Sequence, residues 1–209
     1  MTAPAHRRRL GAALDLAISA DSRLLASTST RSVRITDLAT GRRLASVNVT
    51  HPASVAFSPA GDRLAVSTAT GVQHHFTVPD LTPAEPFTRP DRRPRAAPVE
   101  DPGLMIFGRA TSSTGLTAGH AGHTVVVWDA AGHELTRRPV DSPGTFPALA
   151  WSPDGAELTA IVDDGASAFT PDLEPRWTLP LRYACAAAYT PDGTTLVLGS
   201  WQRGVVLDR

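Results

Sequence analysis

The sequence predicts an all-β fold: a β-propeller of about five four-stranded antiparallel blades. Three observations carry that prediction. A turn motif recurs, as Trp151-Ser152-Pro153-Asp154-Gly155, Phe57-Ser58-Pro59-Ala60-Gly61 and Tyr189-Thr190-Pro191-Asp192-Gly193, with a worn copy at Ile18-Ser19-Ala20-Asp21-Ser22. Short apolar runs flank every copy. The spacing is regular: Ser19 to Ser58 is 39 residues, Ser152 to Thr190 is 38, and Ser58 to Ser152 is 94, which is two periods. A period of about 40–45 residues with four short strands per unit is the spacing of propeller blades.

The turn has a mechanism. Proline at its second position presets φ, Asp suits the third position, and Gly at the fourth accepts positive φ without a steric cost. Apolar runs on both sides of such a turn form a β-hairpin. The chain of 209 residues is long enough to bury a substantial core.

The first blade is expected over 14–49, with strands at Leu14–Ser19, Leu24–Ser27, Ser32–Ile35 and Arg43–Val47. The second, over 53–88, has strands at Val55–Ser58, Arg63–Ser67 and Val72–Val78. His74 and His75 fall on that third strand and point to opposite faces, because strand side chains alternate. Prolines then interrupt the pattern at Pro79, Pro83, Pro86, Pro90, Pro94, Pro98 and Pro102. They remove ladder donors, so 79–103 reads as a connection with at most one edge strand. Arg89, Arg92, Arg93 and Arg95 are interleaved with them, giving the segment the character of a polyproline II arm that a partner could grip.

The third blade, over 104–138, begins with the apolar run Leu104–Gly108, where a turn copy is due near residue 105 but the motif is lost. It ends clearly in Thr124–Asp129. The fourth spans 147–180, with strands at Ala148–Ser152, Glu157–Val162, Ala166–Phe169 and Arg176–Leu179. The fifth, over 184–209, has Ala186–Thr190, Thr194–Gly199 and Gly204–Leu207 and lacks a fourth strand. Residues near His6–Leu10 could supply it and close the ring. Otherwise the chain is an open partial propeller whose exposed edges invite self-association.

Charge balances, with 20 basic residues against 20 acidic, and every basic residue is Arg. Residues 1–109 hold 14 Arg and 9 acids, and the remainder 6 Arg and 11 acids. This is a mild dipole without the clustered basic face that nucleic acid requires. Cys185 is the only cysteine, so no intrachain disulfide forms and a buried structural thiol is expected, in keeping with a cytoplasmic setting. No apolar run approaches the length of a membrane-spanning helix. Arg7-Arg8-Arg9 followed by Leu10–Ile18 faintly imitates a leader, but Asp15 interrupts it and the segment is needed as the first blade's opening strand.

The repeat resembles the WD-repeat β-propeller family, whose unit runs from an apolar strand through Ser-Pro-Asp-Gly to a third strand ending in Trp-Asp. Trp128-Asp129 matches that pair, and Thr36-Asp37 and Leu207-Asp208 occupy its place in the first and fifth blades. The resemblance covers roughly 14–78 and 104–209. It implies protein or peptide partners, and usually a larger ring closed by an N-terminal strand. The family's Gly-His pair, whose His bonds an Asp in a later turn, is approached only by His51. The locking network is therefore expected to be incomplete, with the blades held by apolar packing between sheets.

No catalytic, metal or cofactor site is expected. His133-Glu134-Leu135-Thr136-Arg137 lacks the second ligand of a zinc-protease motif. His120 and His123 lie three apart in a Gly-rich turn, and two ligands do not make a structural site. A phosphate loop of the Walker type is impossible without lysine. Asp163-Asp164 are adjacent and read as hairpin caps. Trp151 reads as core and Trp177 as half-exposed on an outer strand. The fold and the resemblance together point to a non-catalytic protein-interaction platform, with Arg92, Arg93, Arg95, Trp201 and Arg203 as the candidate partner-binding residues. The alternatives are a lactonase-like hydrolase with a channel-mouth site, and a fragment or subunit of a larger propeller.

Overall fold

A computed structural model of the chain describes residues 7–88, 106–140, 148–162 and 165–209. Those residues form nineteen strands and no helix. The first strand, β1 (Arg7–Leu10), stands apart from the blade that follows it. That blade is β2 (Leu16–Ile18), β3 (Leu24–Thr28), β4 (Ser32–Asp37) and β5 (Arg43–Asn48). The second is β6 (Pro52–Phe57), β7 (Arg63–Thr68) and β8 (Gln73–Thr77). The third is β9 (Ile106–Thr111), β10 (Thr117–Ala121), β11 (Thr124–Trp128) and β12 (Glu134–Pro139). The fourth is β13 (Leu149–Trp151), β14 (Leu158–Val162), β15 (Gly165–Phe169) and β16 (Pro175–Pro180). The fifth is β17 (Ala184–Tyr189), β18 (Thr195–Ser200) and β19 (Gly204–Asp208). Every blade is an antiparallel meander.

β1 completes the fifth sheet. It pairs antiparallel with β19, Arg7 opposite Leu207 and Leu10 opposite Gly204, which makes that sheet four-stranded in the order β1-β19-β18-β17. The fourth strand that the N-terminal segment was expected to supply to the last blade is therefore found at Arg7–Leu10. Arg8 donates to the Asp208 carboxylate at 2.8 Å across the same pair of strands. Beyond β1 the chain crosses to blade one through Ala13, whose N–H donates to the Ser200 carbonyl at 2.9 Å.

The recurring turn works through its first residue. The hydroxyl oxygens of Ser19, Ser58, Ser152 and Thr190 accept the N–H of Leu24, Arg63, Glu157 and Thr195 at 2.8–3.1 Å. Each hydroxyl in turn donates to a carboxylate: Asp21 at 2.6 Å, Asp62 at 2.7 Å, Asp154 at 2.5 Å and Asp192 at 2.6 Å. Such side-chain to backbone bonds satisfy groups that the ladder leaves open at a hairpin end. In blade two the acid has moved one place beyond the glycine, yet its carboxylate still takes the serine proton.

The copy expected near residue 105 lies instead at Ser112-Ser113-Thr114-Gly115. Ser112 accepts the Leu116 N–H at 3.0 Å and meets the Thr114 hydroxyl at 2.8 Å. A hydroxyl replaces the carboxylate there, so the turn keeps its hydrogen bond and loses its spelling.

Six residues beyond the turn hydroxyl stands a leucine in four of the blades: Leu25, Leu64, Leu158 and Leu196, each fully buried. Each contributes about 1.5–3 kcal/mol by burial. These leucines sit in apolar layers between sheets. One layer joins blades one and two through Val33, Ile35, Val55 and Val66. Others join blades three and four, four and five, and five and one. Among the described residues no such layer joins blade two to blade three, and the connection between them at 89–105 lies outside the described residues. On the far face of blade three the Trp128 indole covers Gly119, where a Cβ would stand 3.0 Å from the ring and 2.7 Å from Ile106.

Blade two has three strands and a single bridge, Phe76 to Pro83, in the fourth position. Pro79, Pro83 and Pro86 withhold the donors a full strand needs. The chain still runs back over the sheet, and Phe87 packs edge-on to His75 at 5.2 Å and under the Arg63 guanidinium at 5.4 Å.

Two placements correct the sequence reading. Trp177 is 6% exposed rather than half-exposed, because the Arg209 guanidinium lies 5.7 Å over its ring. His120 is not in a turn: it sits inside β10, fully buried, while His123 occupies the exposed turn that follows.

Candidate functional site

A meander sends its turns alternately to the two ends of a sheet. The turns that close the first and third hairpin steps of each blade share one end. There the turns of neighbouring blades touch: the Ser113 hydroxyl donates to the Pro153 carbonyl at 2.7 Å, and the Asp192 N–H to the Ser22 hydroxyl at 3.3 Å. Asp21, Asp62, Asp129, Asp154 and Asp192 all stand at this end. Their hydrogen bonds hold them below the usual carboxylate range, most of all Asp192, held by the Thr190 hydroxyl and then by the backbone and hydroxyl of Thr194, down to about 2.

The opposite end carries the loops that enter each blade and those that join its second and third strands. Among the described residues of these loops, Arg31, Arg182 and Arg203 face solvent and Asp15 is the carboxylate. Asp15 accepts the Val55 N–H at 2.8 Å, which ties blade one to blade two. Among the described residues, the turn aspartates thus gather at one end, and the loops of the other hold three exposed arginines and one carboxylate.

At the latter end, the fifth blade presents two large aromatic side chains in neighbouring loops. Trp201 is 50% exposed and Tyr183 45% exposed. The Trp201 N–H donates to the Tyr183 carbonyl at 3.2 Å, so the two loops are fixed to each other. The Arg182 guanidinium lies 4.9 Å over the Tyr183 ring. Ser200 holds the second loop, its hydroxyl accepting the N–H of Gln202 at 3.2 Å and of Arg203 at 3.1 Å.

The sequence reading selected Trp201 and Arg203 but missed Tyr183 and Arg182. Those two lie in the loop that enters β17, far from Trp201 along the chain and beside it in the sheet. One signal was present: Tyr183 stands seven residues before its turn hydroxyl, Thr190, as His51 stands seven before Ser58. Both take left-handed backbone, φ 57° and 49°. Both also accept an N–H from the loop after the second strand of their blade, Trp201 and Ala69 respectively.

Arg92, Arg93 and Arg95 lie outside the described residues, as do Asp163 and Asp164. His51 is exposed and makes no locking bond to an aspartate among the described residues. Cys185 is half-buried, its thiol directed at the Ala13 carbonyl at 3.4 Å. Burial, with a smaller contribution from Asp15, pushes that thiol up to about 12, which removes its nucleophilic form at neutral pH. Among the described residues no group of three or more His, Cys, Asp or Glu is placed to hold a metal ion, and no helix is long and apolar enough to cross a membrane.

Two solved structures share this architecture along the whole chain. The structure of U3-55K superposes with a TM-score of 0.72 at 10% identity, covering 100% of both chains. The crystal structure of RRP9 WD40 repeats gives a TM-score of 0.69 at 11% identity, over 100% of this chain and 99% of that one. The fold is that of a WD-repeat propeller. No family model matches the sequence, and no curated protein does. Within this architecture the turn hydroxyls and the buried leucines recur from blade to blade, while Trp128-Asp129 is the one Trp-Asp pair at the end of a third strand.

Proposed function

We propose that this propeller is a non-catalytic protein-interaction platform and that it engages its partner through the rim of the fifth blade. The observation that carries this reading is the pair of exposed aromatic residues, Tyr183 and Trp201, whose loops a backbone hydrogen bond fixes to each other. Exposed Trp, Tyr and Arg are the side chains that anchor interfaces, and loops on a rigid scaffold are where binding concentrates. The architecture shared with WD40 structures supports a protein partner. Cysteine usage supports a cytoplasmic setting, since the one thiol is held as a neutral, packed group.

The test is affinity capture from native lysate with the purified chain, beside a Tyr183→Ala/Trp201→Ala double variant. A protein retained by the first and lost by the second is the expected result. The same proteins retained equally by both would overturn the assignment of this rim.

A further inference from the structure

We propose that the rim of blade five is a docking site for an acidic peptide segment, one that sets an apolar or aromatic side chain between carboxylates. The proposal rests on the interaction-platform reading above and names the chemistry of its partner.

The left-handed backbone of Tyr183 belongs to the loop rather than to the ring, since His51 shares it in blade two. What the side chain does with that position is a separate matter. Leu81 and Leu173 also stand at positive φ, 57° and 60°, and both bury their side chains, at 5% and 2% exposure. Their burial offsets the cost of the backbone. Tyr183 leaves its ring 45% exposed and recovers little of that burial. Folding alone therefore gives little reason for an aromatic residue here, and a ring that a partner covers supplies one.

The cations point the same way. Arg8, Arg63, Arg137, Arg176 and Arg209 each meet a carboxylate. Arg182 and Arg203, like Arg31 at the same end and other described arginines, meet none among the described residues. Arg182 uses only the flat face of its guanidinium, over Tyr183. Its edge keeps the N–H fork that grips a carboxylate in bidentate fashion. Arg203 is exposed two residues beyond Trp201 in the same loop. The arrangement is two exposed aromatic side chains and two exposed arginines in two loops fixed to each other, at the end whose described loops hold one carboxylate, Asp15. Charge complementarity selects an acidic partner and the rings select an apolar side chain within it. A nucleic acid would need a longer basic track than two arginines on a chain of zero net charge.

The experiment uses fluorescence anisotropy with the full chain and three labelled probes. These are a short synthetic peptide with glutamates flanking a central phenylalanine, the same peptide with lysines for glutamates, and a single-stranded oligouridine. The acidic peptide is expected to bind, to weaken as salt rises, and to lose at least about tenfold in affinity on Trp201→Ala or on Arg182→Glu/Arg203→Glu. The lysine peptide is expected not to bind. All four side chains are exposed, and unchanged thermal unfolding of the variants separates loss of binding from loss of fold. No binding of the acidic peptide, or binding that these variants leave unchanged, overturns the proposal. So does tighter binding of oligouridine lost in the same variants, or a self-association of the chain that Trp201→Ala abolishes. If a lysate partner is lost on Tyr183→Ala/Trp201→Ala and the acidic peptide does not compete with it, the platform reading stands and the acidic chemistry fails. If capture is indifferent to those substitutions, the platform assignment itself fails.

Discussion

Arg209 places its guanidinium 2.5 Å from the carboxylate of Glu157, joining the residue after β19 to the residue before β14. Glu157 is only 2% exposed. Its carboxylate also receives Arg176 at 3.3 Å and the Tyr189 hydroxyl at 2.7 Å, and that hydroxyl meets the Thr159 hydroxyl at 2.7 Å. Arg209 lies over the rings of Trp177 and Tyr189 as well. Blades four and five are thus joined by an ionic network around one buried carboxylate in addition to their apolar layer.

Glu157→Ala removes the acceptor that Arg176, Arg209 and the Tyr189 hydroxyl share, and leaves two guanidiniums that solvent still reaches. The expected loss is at least about 3 kcal/mol, since more than one hydrogen bond to a charged group goes, read as a shift of the urea midpoint with the slope unchanged. Tyr189→Phe removes one hydrogen bond to a charged group and is expected to cost less, about 1.5–3 kcal/mol. Equal midpoints for Glu157→Ala and the parent chain would show that the network contributes no net stability.

His120 is expected to govern stability in mild acid. It is fully buried, neither ring nitrogen has a hydrogen-bond partner, and burial pushes it down to about 4. The ordinary value is about 6.5, so between those values the unfolded chain binds a proton that the folded chain refuses. Stability is full above about pH 6.5 and falls as pH drops towards 4, by at most about 3 kcal/mol. His120→Leu is expected to flatten that limb and to cost nothing at neutral pH, since it removes two unsatisfied polar atoms. A parent chain equally stable at both ends of the window would contradict this.

The turn aspartates act lower on the pH scale. Asp21, Asp154 and Asp192 sit below the usual range because hydroxyl and backbone donors bind their ionised form. Their contribution is complete above the ordinary carboxylate value near 4 and is lost as pH falls below it, for Asp192 towards about 2. Asp154→Ala and Asp192→Ala are expected to lower stability at neutral pH and to leave it less sensitive to pH within that window. Denaturant titrations at several acidic pH values measure both effects.

Removal of β1 exposes the edge of β19 and deprives Asp208 of Arg8. A chain lacking residues 1–10 is expected to unfold at lower temperature and to associate as its concentration rises, because an open edge pairs with another chain. Light scattering across a concentration series decides it. A monomer as stable as the parent would show that β1 contributes nothing to closure.

The architecture was legible in the sequence because its cause is local. Ser152 and Asp154 close a turn within a few residues, and the strand pattern follows from that turn wherever it recurs. The third blade shows where legibility stops. Ser112 and Thr114 keep the hydroxyl chemistry without the letters, and the insertion before them moves the copy out of phase. Trp201 and Arg203 were readable as an exposed aromatic and cation in a tight turn. Tyr183 was not, because a partner brought alongside by sheet pairing leaves no mark in local composition.

The sequence by itself determined the blades and most of their turns, since each depends on contacts within one hairpin. Only the tertiary structure decided which distant residues meet. Arg8 reaches Asp208 across 200 residues, and Arg209 reaches Glu157 through the packing of two sheets. Charge shows the difference most plainly. Along the chain it divides between an arginine-rich first half and an acidic second half. In the fold, the described turn aspartates Asp21, Asp62, Asp129, Asp154 and Asp192 gather at one end, because a meander returns every second turn to the same end whichever half of the chain supplies it.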